Sequence, residues 1–150
     1  MNIVIRTAVA ADFEVLSDIF RAASLSNPGD REFLLARTEA LVLSDAGVRQ
    51  GRTRVAVDPD GTIDGFATCL IAGGAIELED LFVHPARMRR GIGRALVADA
   101  VSVAHEASFD RIDVTANPHA RSFYEQVGFV VDELVETEFY PAHRMHKDVR

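Results

Sequence analysis

Leu81-Phe82-Val83-His84-Pro85-Ala86-Arg87-Met88-Arg89-Arg90-Gly91-Ile92-Gly93-Arg94-Ala95-Leu96 is the stretch that decides the reading of this chain. It spells a strand end, a basic turn bearing two glycines, and a helix start. Backbone N–H groups at a helix start lack acceptors within the helix, the helix dipole favours negative charge there, and glycine lets an anion approach with no Cβ in the way. Such a junction can hold a pyrophosphate, although a Gly-x-Gly before a helix also fits a tight turn with no ligand. Leu96 stands where a dinucleotide-binding Gly-x-Gly-x-x-Gly has its third glycine, and no Gly-Lys-Ser/Thr follows, so Rossmann and P-loop readings fail.

Working outward, residues 91–107 repeat Ile92, Leu96, Ala100, Val103 and Ala107 on one helical face. Upstream, the period is two: residues 75–84 alternate Glu77, Glu79, Leu81 and Val83 against Ile76, Leu78, Asp80 and Phe82, and Pro85 ends the strand. Gly73-Gly74 suits a tight hairpin to a strand at residues 63–71. Asp58-Pro59-Asp60-Gly61 is a turn that leads back to a strand from residue 52, with Val55 and Val57 on one side.

The N-terminal part opens with a strand at residues 2–6, followed by a helix capped by Asp12 with Phe13, Leu16, Ile19, Phe20 and Ala23 on its apolar face. A break at residues 27–30 precedes a second helix carrying Phe33, Leu34, Arg37, Leu41 and Val42, which Gly47 and Gly51 punctuate. Past residue 107, a short strand at 111–115 leads to Asn117-Pro118, a helix start with Asn as N-cap and Pro at the first helical position. Ala120, Phe123, Tyr124 and Val127 form that helix's stripe and Gly128 stops it. Strands at 129–137 and 142–149 complete an α/β fold with a mixed, mostly antiparallel sheet and about four flanking helices.

A chain of 150 residues with 48% hydrophobic side chains reads as a single domain over residues 1–150. Net charge of -7 argues against phosphate-backbone binding, so no nucleic acid is expected as partner. Arg87, Arg89, Arg90 and Arg94 are the local exception, and they suit a small polyanion. The lone Cys69 cannot form an internal disulfide, no Cys/His spacing resembles a zinc site, and no run is long enough to span a bilayer. The expectation is a cytoplasmic protein with no membrane or metal partner.

These residues resemble the GNAT acyl-CoA N-acyltransferases, whose signature is Gln/Arg-x-x-Gly-x-Gly/Ala after a Leu-x-Val-x-Pro strand end. Also matching in order and spacing are Asp60-Gly61 with Gly65-Phe66, the run from Glu79 to Pro85, and Asn117-Pro118-x-Ala120-x-x-Phe123-Tyr124-x-x-x-Gly128-Phe129. The specific part covers residues 52–131; the N-terminal strand and helices match in type alone. Met88 departs from the pattern, standing where the family has Gln or Arg, three residues before Gly91.

The resemblance implies an acetyltransferase with acetyl-CoA as co-substrate. It implies that backbone amides of Met88, Arg89, Arg90, Gly91, Ile92, Gly93 and Arg94 hold the pyrophosphate, with neighbouring arginines adding charge. The pantetheine arm would pair with main-chain groups at Leu81 and Val83, and Asn117 would touch the coenzyme. As a helix cap alone, Asn117 needs no ligand, and the two roles are compatible.

Tyr124 matches the family tyrosine that protonates the leaving thiolate. A phenol with pKa about 10 can serve a thiolate whose acid resembles cysteine at about 8.5, given hydrogen-bond reach. Its alternative is a packing aromatic on the stripe with Phe123 and Val127. The acceptor ammonium, pKa about 10.4, must first lose a proton. Glu77, Glu79 and Asp80 compete as base. Glu79 ranks first, sharing a strand face with Leu81 and Val83 and matching the acidic position of polyamine-type members, against a plain outward-facing polar residue.

Other reactive types read as structural. Cys69 sits in an apolar stretch as a buried, inert thiol. His143 and His146 fall on opposite strand faces, which disfavours a metal, and His84 ends a strand. The acceptor is a small-molecule or protein amine, a cationic one fitting the acidic chain. A homodimer is compatible with the resemblance. Two rivals stand beside the enzyme: a non-catalytic acyl-CoA-binding module, and an interaction domain whose arginines form a solvated face.

Overall fold

The computed structural model describes residues 2–27, 29–137 and 141–149. Pro28, part of the expected break at 27–30, lies outside them. The strands are β1 (Val4–Thr7), β2 (Thr53–Val57), β3 (Ile63–Ala72), β4 (Ala75–Val83), β5 (Arg111–Ala116), β6 (Val130–Glu136) and β7 (Pro141–Asp148). The helices are α1 (Phe13–Leu25), α2 (Arg31–Leu35), α3 (Ala46–Arg49), α4 (Ile92–Glu106) and α5 (Arg121–Gln126). Among the described residues the strands follow the order β1-β2-β3-β4-β5-β7-β6 in one sheet. The β4–β5 pair is parallel, and β1–β2, β2–β3, β5–β7 and β6–β7 are antiparallel. This is the mixed, mostly antiparallel α/β sheet expected.

The chain divides into two compact units, one of residues 1–68 and 80–96, the other of residues 69–79 and 97–150. The first unit has a core of Ala8, Leu16, Ile19, Val55, Ile63 and Phe66, against which Phe20, Leu43, Val48, Val57 and Phe82 pack. Phe82 meets Phe20 edge-on, with ring centroids 4.9 Å apart. Asp12 holds the entrance to α1 by accepting from the Val9 amide at 2.8 Å and from both Nη atoms of Arg6. The Arg6 bond draws the Asp12 carboxyl below its ordinary range, and burial opposes that.

In the second unit the buried positions alternate as a half-covered sheet requires: Ile76 and Leu78 on β4, Ile112 and Val114 on β5, Met145 on β7. The hairpin between β3 and β4 has two loop residues, Gly73 at φ 59° and Gly74 at φ 79°. That pair of positive angles is the twist-matched turn its sequence predicts.

Three expectations need correction. The second helix does not run through residues 33–42. Arg37 leaves the helical region at φ -131° and ψ 71°, so α2 stops at Leu35, a 3-10 turn covers Thr38–Leu41, and Val42 is exposed while Leu41 is buried. Gly47 does not punctuate a helix but lies inside α3, where a Cβ would meet Thr53 Oγ1 and Thr68 Cγ2 at 2.6 Å. Finally, α5 begins at Arg121 rather than at Pro118.

Candidate functional site

The strand end, turn and helix start of the opening stretch all lie in the first unit. After β4, a 3-10 turn over Pro85–Arg87 is capped by His84, whose Nδ1 accepts from the Ala86 amide at 3.1 Å. Arg89 then takes φ 65° and Gly91 φ 80°, both in the left-handed region. Turns with such angles point successive amides to one side, a concave arrangement that attracts anions. Gly91 has no other atom within 4 Å of a Cβ position, so glycine is needed there for its torsion angle and not for space.

The first bond of α4 runs from the Ala95 amide to the Gly91 carbonyl at 3.0 Å. By helix geometry the amides of Ile92, Gly93 and Arg94 have no acceptor within the helix. The Ile92 side chain is buried in the protein, so only its main chain can serve a ligand, whereas Met88, Arg89, Arg90 and Arg94 are exposed. Together the residues offer amide donors, a helix dipole and guanidinium charge to an anion.

Two residues of β3 support this turn. Gly65 lies so close to β4 that a Cβ would stand 2.8 Å from the Phe82 carbonyl oxygen and 3.2 Å from Ile92 Cγ2. Asp64, at 1% exposure, accepts the His84 amide through its main-chain oxygen at 2.9 Å, and Arg87 Nε lies 2.9 Å from its carboxylate Oδ1. Burial pushes the Asp64 carboxyl above its ordinary value; nearby Asp58 reinforces the rise, and Arg87 and Arg90 oppose it. Asp64 was missed in the sequence, although a charged residue between Ile63 and Gly65 in an apolar strand was a signal. Arg87, counted there with the ligand arginines, is the one engaged by a buried carboxylate.

Leu81 and Val83, half-buried, lie on β4 beyond the residues described as pairing with β5. Among the described residues that parallel ladder covers Ile76↔Ile112, Glu77↔Asp113 and Leu78↔Val114. Of the three acids, Glu77 is bonded to Arg144 Nη1, and the same nitrogen donates to Thr115 Oγ1 at 2.9 Å. Glu79 is exposed and Asp80 half-buried.

In the second unit Asn117 Oδ1 accepts the Ala120 amide at 2.9 Å, so it caps the turn that leads into α5. The end of α5 is closed by Phe129 N–H to Tyr124 O at 2.9 Å and Gly128 N–H to Glu125 O at 3.1 Å, with Gly128 at φ 102°. These two bonds make a Schellman cap, and its customary apolar contact is the Tyr124–Phe129 ring pair at 5.2 Å. Tyr124 is buried and also meets Phe123 edge-on at 5.3 Å.

Cys69 is half-buried rather than buried. His146 Nδ1 bonds Asp132 at 2.8 Å and His143 Nε2 lies 3.3 Å from Arg121 Nη1, so the two histidines have separate protein partners. Among the described residues no group of three or more His, Cys, Asp or Glu could hold a metal ion, and no helix is long and apolar enough to cross a membrane.

The family model described as Acetyltransferase (GNAT) family matches residues 15–129. The chain belongs to the GNAT acetyltransferase family. The chain is 33% identical over 88 residues to a mycothiol acetyltransferase of Clavibacter sepedonicus, an alignment over 57% of this chain and 29% of that protein. It therefore spans under a third of the length of the curated relatives it matches. Among solved structures, a GCN5-related N-acetyltransferase from Kribbella flavida is 27% identical, with TM-score 0.71 over 97% of each chain. The PaiA N-acetyltransferase of Thermoplasma acidophilum, in complex with coenzyme A, shares the GNAT fold at TM-score 0.78 and 20% identity over 99% of each chain.

Proposed function

We propose that this chain is an acetyltransferase that takes an acetyl group from acetyl-CoA and passes it to an amine. The observation that carries the proposal is the turn at residues 88–94, where two left-handed residues precede a helix start with unmatched amides. Membership of the GNAT family and the coenzyme A complex of the Thermoplasma relative support the choice of ligand. The likeness to mycothiol acetyltransferases supports acetyl as the transferred group.

In this reading the pyrophosphate lies on residues 88–94, and Leu81 and Val83 offer main-chain groups to the pantetheine arm. Asn117 contacts the coenzyme while capping its turn. The neutral amine attacks the thioester carbonyl, a C–N bond forms and the C–S bond breaks. The proton of the acceptor ammonium leaves beforehand to Glu79, directly or through water; Tyr124 gives its proton to the departing thiolate and regains one from the nitrogen, which loses its second proton as the amide forms. Glu77 is the weaker choice of base because Arg144 holds it; Asp80 is the remaining alternative.

Acetyl-CoA should raise the melting temperature, and thiol release should follow when a cognate member of an amine panel is added. A melting temperature indifferent to acetyl-CoA sinks the ligand assignment. Binding without thiol release for any amine would leave the acyl-CoA-binding module.

A further inference from the structure

We infer that Asp64 is a positioning residue for the coenzyme turn, acting by holding the guanidinium of Arg87. The inference rests on the placement of acetyl-CoA on residues 88–94. Asp64 joins β3 to the turn region twice: its main-chain oxygen takes the His84 amide, and its carboxylate faces Arg87 Nε at 2.9 Å. His84 and Arg87 bracket the 3-10 turn, and the Arg87 amide also donates to the His84 carbonyl at 2.8 Å. The residues immediately before left-handed Arg89 are thus fixed from main chain and side chain alike.

A carboxylate at 1% exposure is costly to keep unless a cation compensates it. Its Oδ1 makes no hydrogen bond of good geometry, and the other side chain that bonds it, Asp58, is itself acidic, so the cation in contact with it, Arg87, supplies the compensation, with Arg90 adding to it from further off. Arg87 is correspondingly a scaffold arginine rather than a phosphate ligand. Arg89, Arg90 and Arg94 are exposed and carry the ligand-facing charge.

The two roles predict opposite outcomes. Asp64→Asn keeps the shape and removes the charge that holds Arg87. If Arg87 is scaffold, the acetyl-CoA dissociation constant should rise about tenfold, the scale of the coupling between residues that share one ion pair. Turnover at saturating acetyl-CoA should stay within twofold of wild type, so the loss appears in KM. Arg87→Lys keeps the charge but loses Nε, and it should match Asp64→Asn, with the double variant no worse than either single one. Melting temperatures of all variants, measured without ligand, separate lost folding from lost positioning. Unchanged or tighter binding in Asp64→Asn would overturn the inference, because a released ligand arginine would bind as well or better. Absence of acetyl-CoA binding by the wild type would instead sink the ligand assignment, and this inference with it.

Discussion

Helix α4 is flanked on both sides by a non-glycine residue in the left-handed region, Arg89 before it and Ser108 after it, each at φ 65°. The local cost is the same kind at both places, since a Cβ crowds the backbone there. Beyond Glu106 that cost is offset on the spot: Ser108 N–H reaches the His105 carbonyl at 3.0 Å and Phe109 N–H the Ala104 carbonyl at 2.9 Å, closing the helix with a Schellman cap. Before Ile92 the arrangement leaves amides of the first turn without helical acceptors. Every helix start leaves such donors, so what sets this end apart is the left-handed Arg89 and Gly91 beside exposed Arg90 and Arg94, the setting on which the proposed coenzyme site rests.

The largest test uses a third helix end, that of α5, which Tyr124 helps close. Tyr124→Phe keeps the ring against Phe129 and Phe123 and removes the hydroxyl. Turnover should fall about 10²- to 10⁴-fold while the acetyl-CoA dissociation constant changes little. Full turnover in this variant would reduce Tyr124 to a capping aromatic.

Next comes Gly91→Val, which places a β-branched residue at φ 80°. It should abolish the acetyl-CoA-induced rise in melting temperature. A rise that survives would put the anion elsewhere and dissolve the contrast between the two ends.

A smaller effect is expected from pH. Burial raises the Asp64 carboxyl, so the folded chain keeps that proton at pH values where the unfolded chain has lost it. Stability from this group is therefore greatest below the unfolded value, about 3.9, and declines as pH rises through the higher folded value. Denaturant melts of wild type and Asp64→Asn should diverge over that window, with wild type losing ground toward neutral pH. Parallel curves would show that Arg87 fully offsets the burial.

Smallest is Ser108→Gly, which relieves the left-handed strain at the end of α4 where the cap satisfies its own backbone. A gain of about 0.5–1 kcal/mol is expected, the roughly 1–2 kcal/mol cost of the left-handed conformation less the entropy that glycine loses on folding, with acetyl-CoA binding unchanged. Altered binding would mean that the two ends are not independent.

The contrast between these ends was half legible in the sequence. Gly91 and Gly93 beside arginines announced the turn, and Gly73-Gly74 announced its hairpin, because glycine at such places has a local backbone cause. Arg89 and Ser108 gave no sign, since nothing in either side chain encodes a positive φ. The helix break at Arg37 was hidden by an apolar period that continues through Leu41, and burial alone separates Leu41 from Val42. Asn117-Pro118 has the spelling of a helix start, yet Asn117 caps a turn and Ala120 is the N-cap of α5, because a six-residue helix can begin after a turn of its own and spacing does not show that. The Asp64–Arg87 and Glu77–Arg144 pairs join residues far apart in the chain, so only the fold reveals which charges meet.

Gly65 has a consequence for how this chain can drift in evolution. Its φ lies outside the left-handed region, so glycine is required for absent volume, and the atom in the way is the main-chain oxygen of Phe82. A crowded side chain can be trimmed by a second mutation, but a carbonyl cannot. Every larger residue is therefore barred together, and no single neighbouring substitution reopens the position. Change at residue 65 has to wait for the end of β4 to move, which ties the history of one small residue to that of the turn it supports.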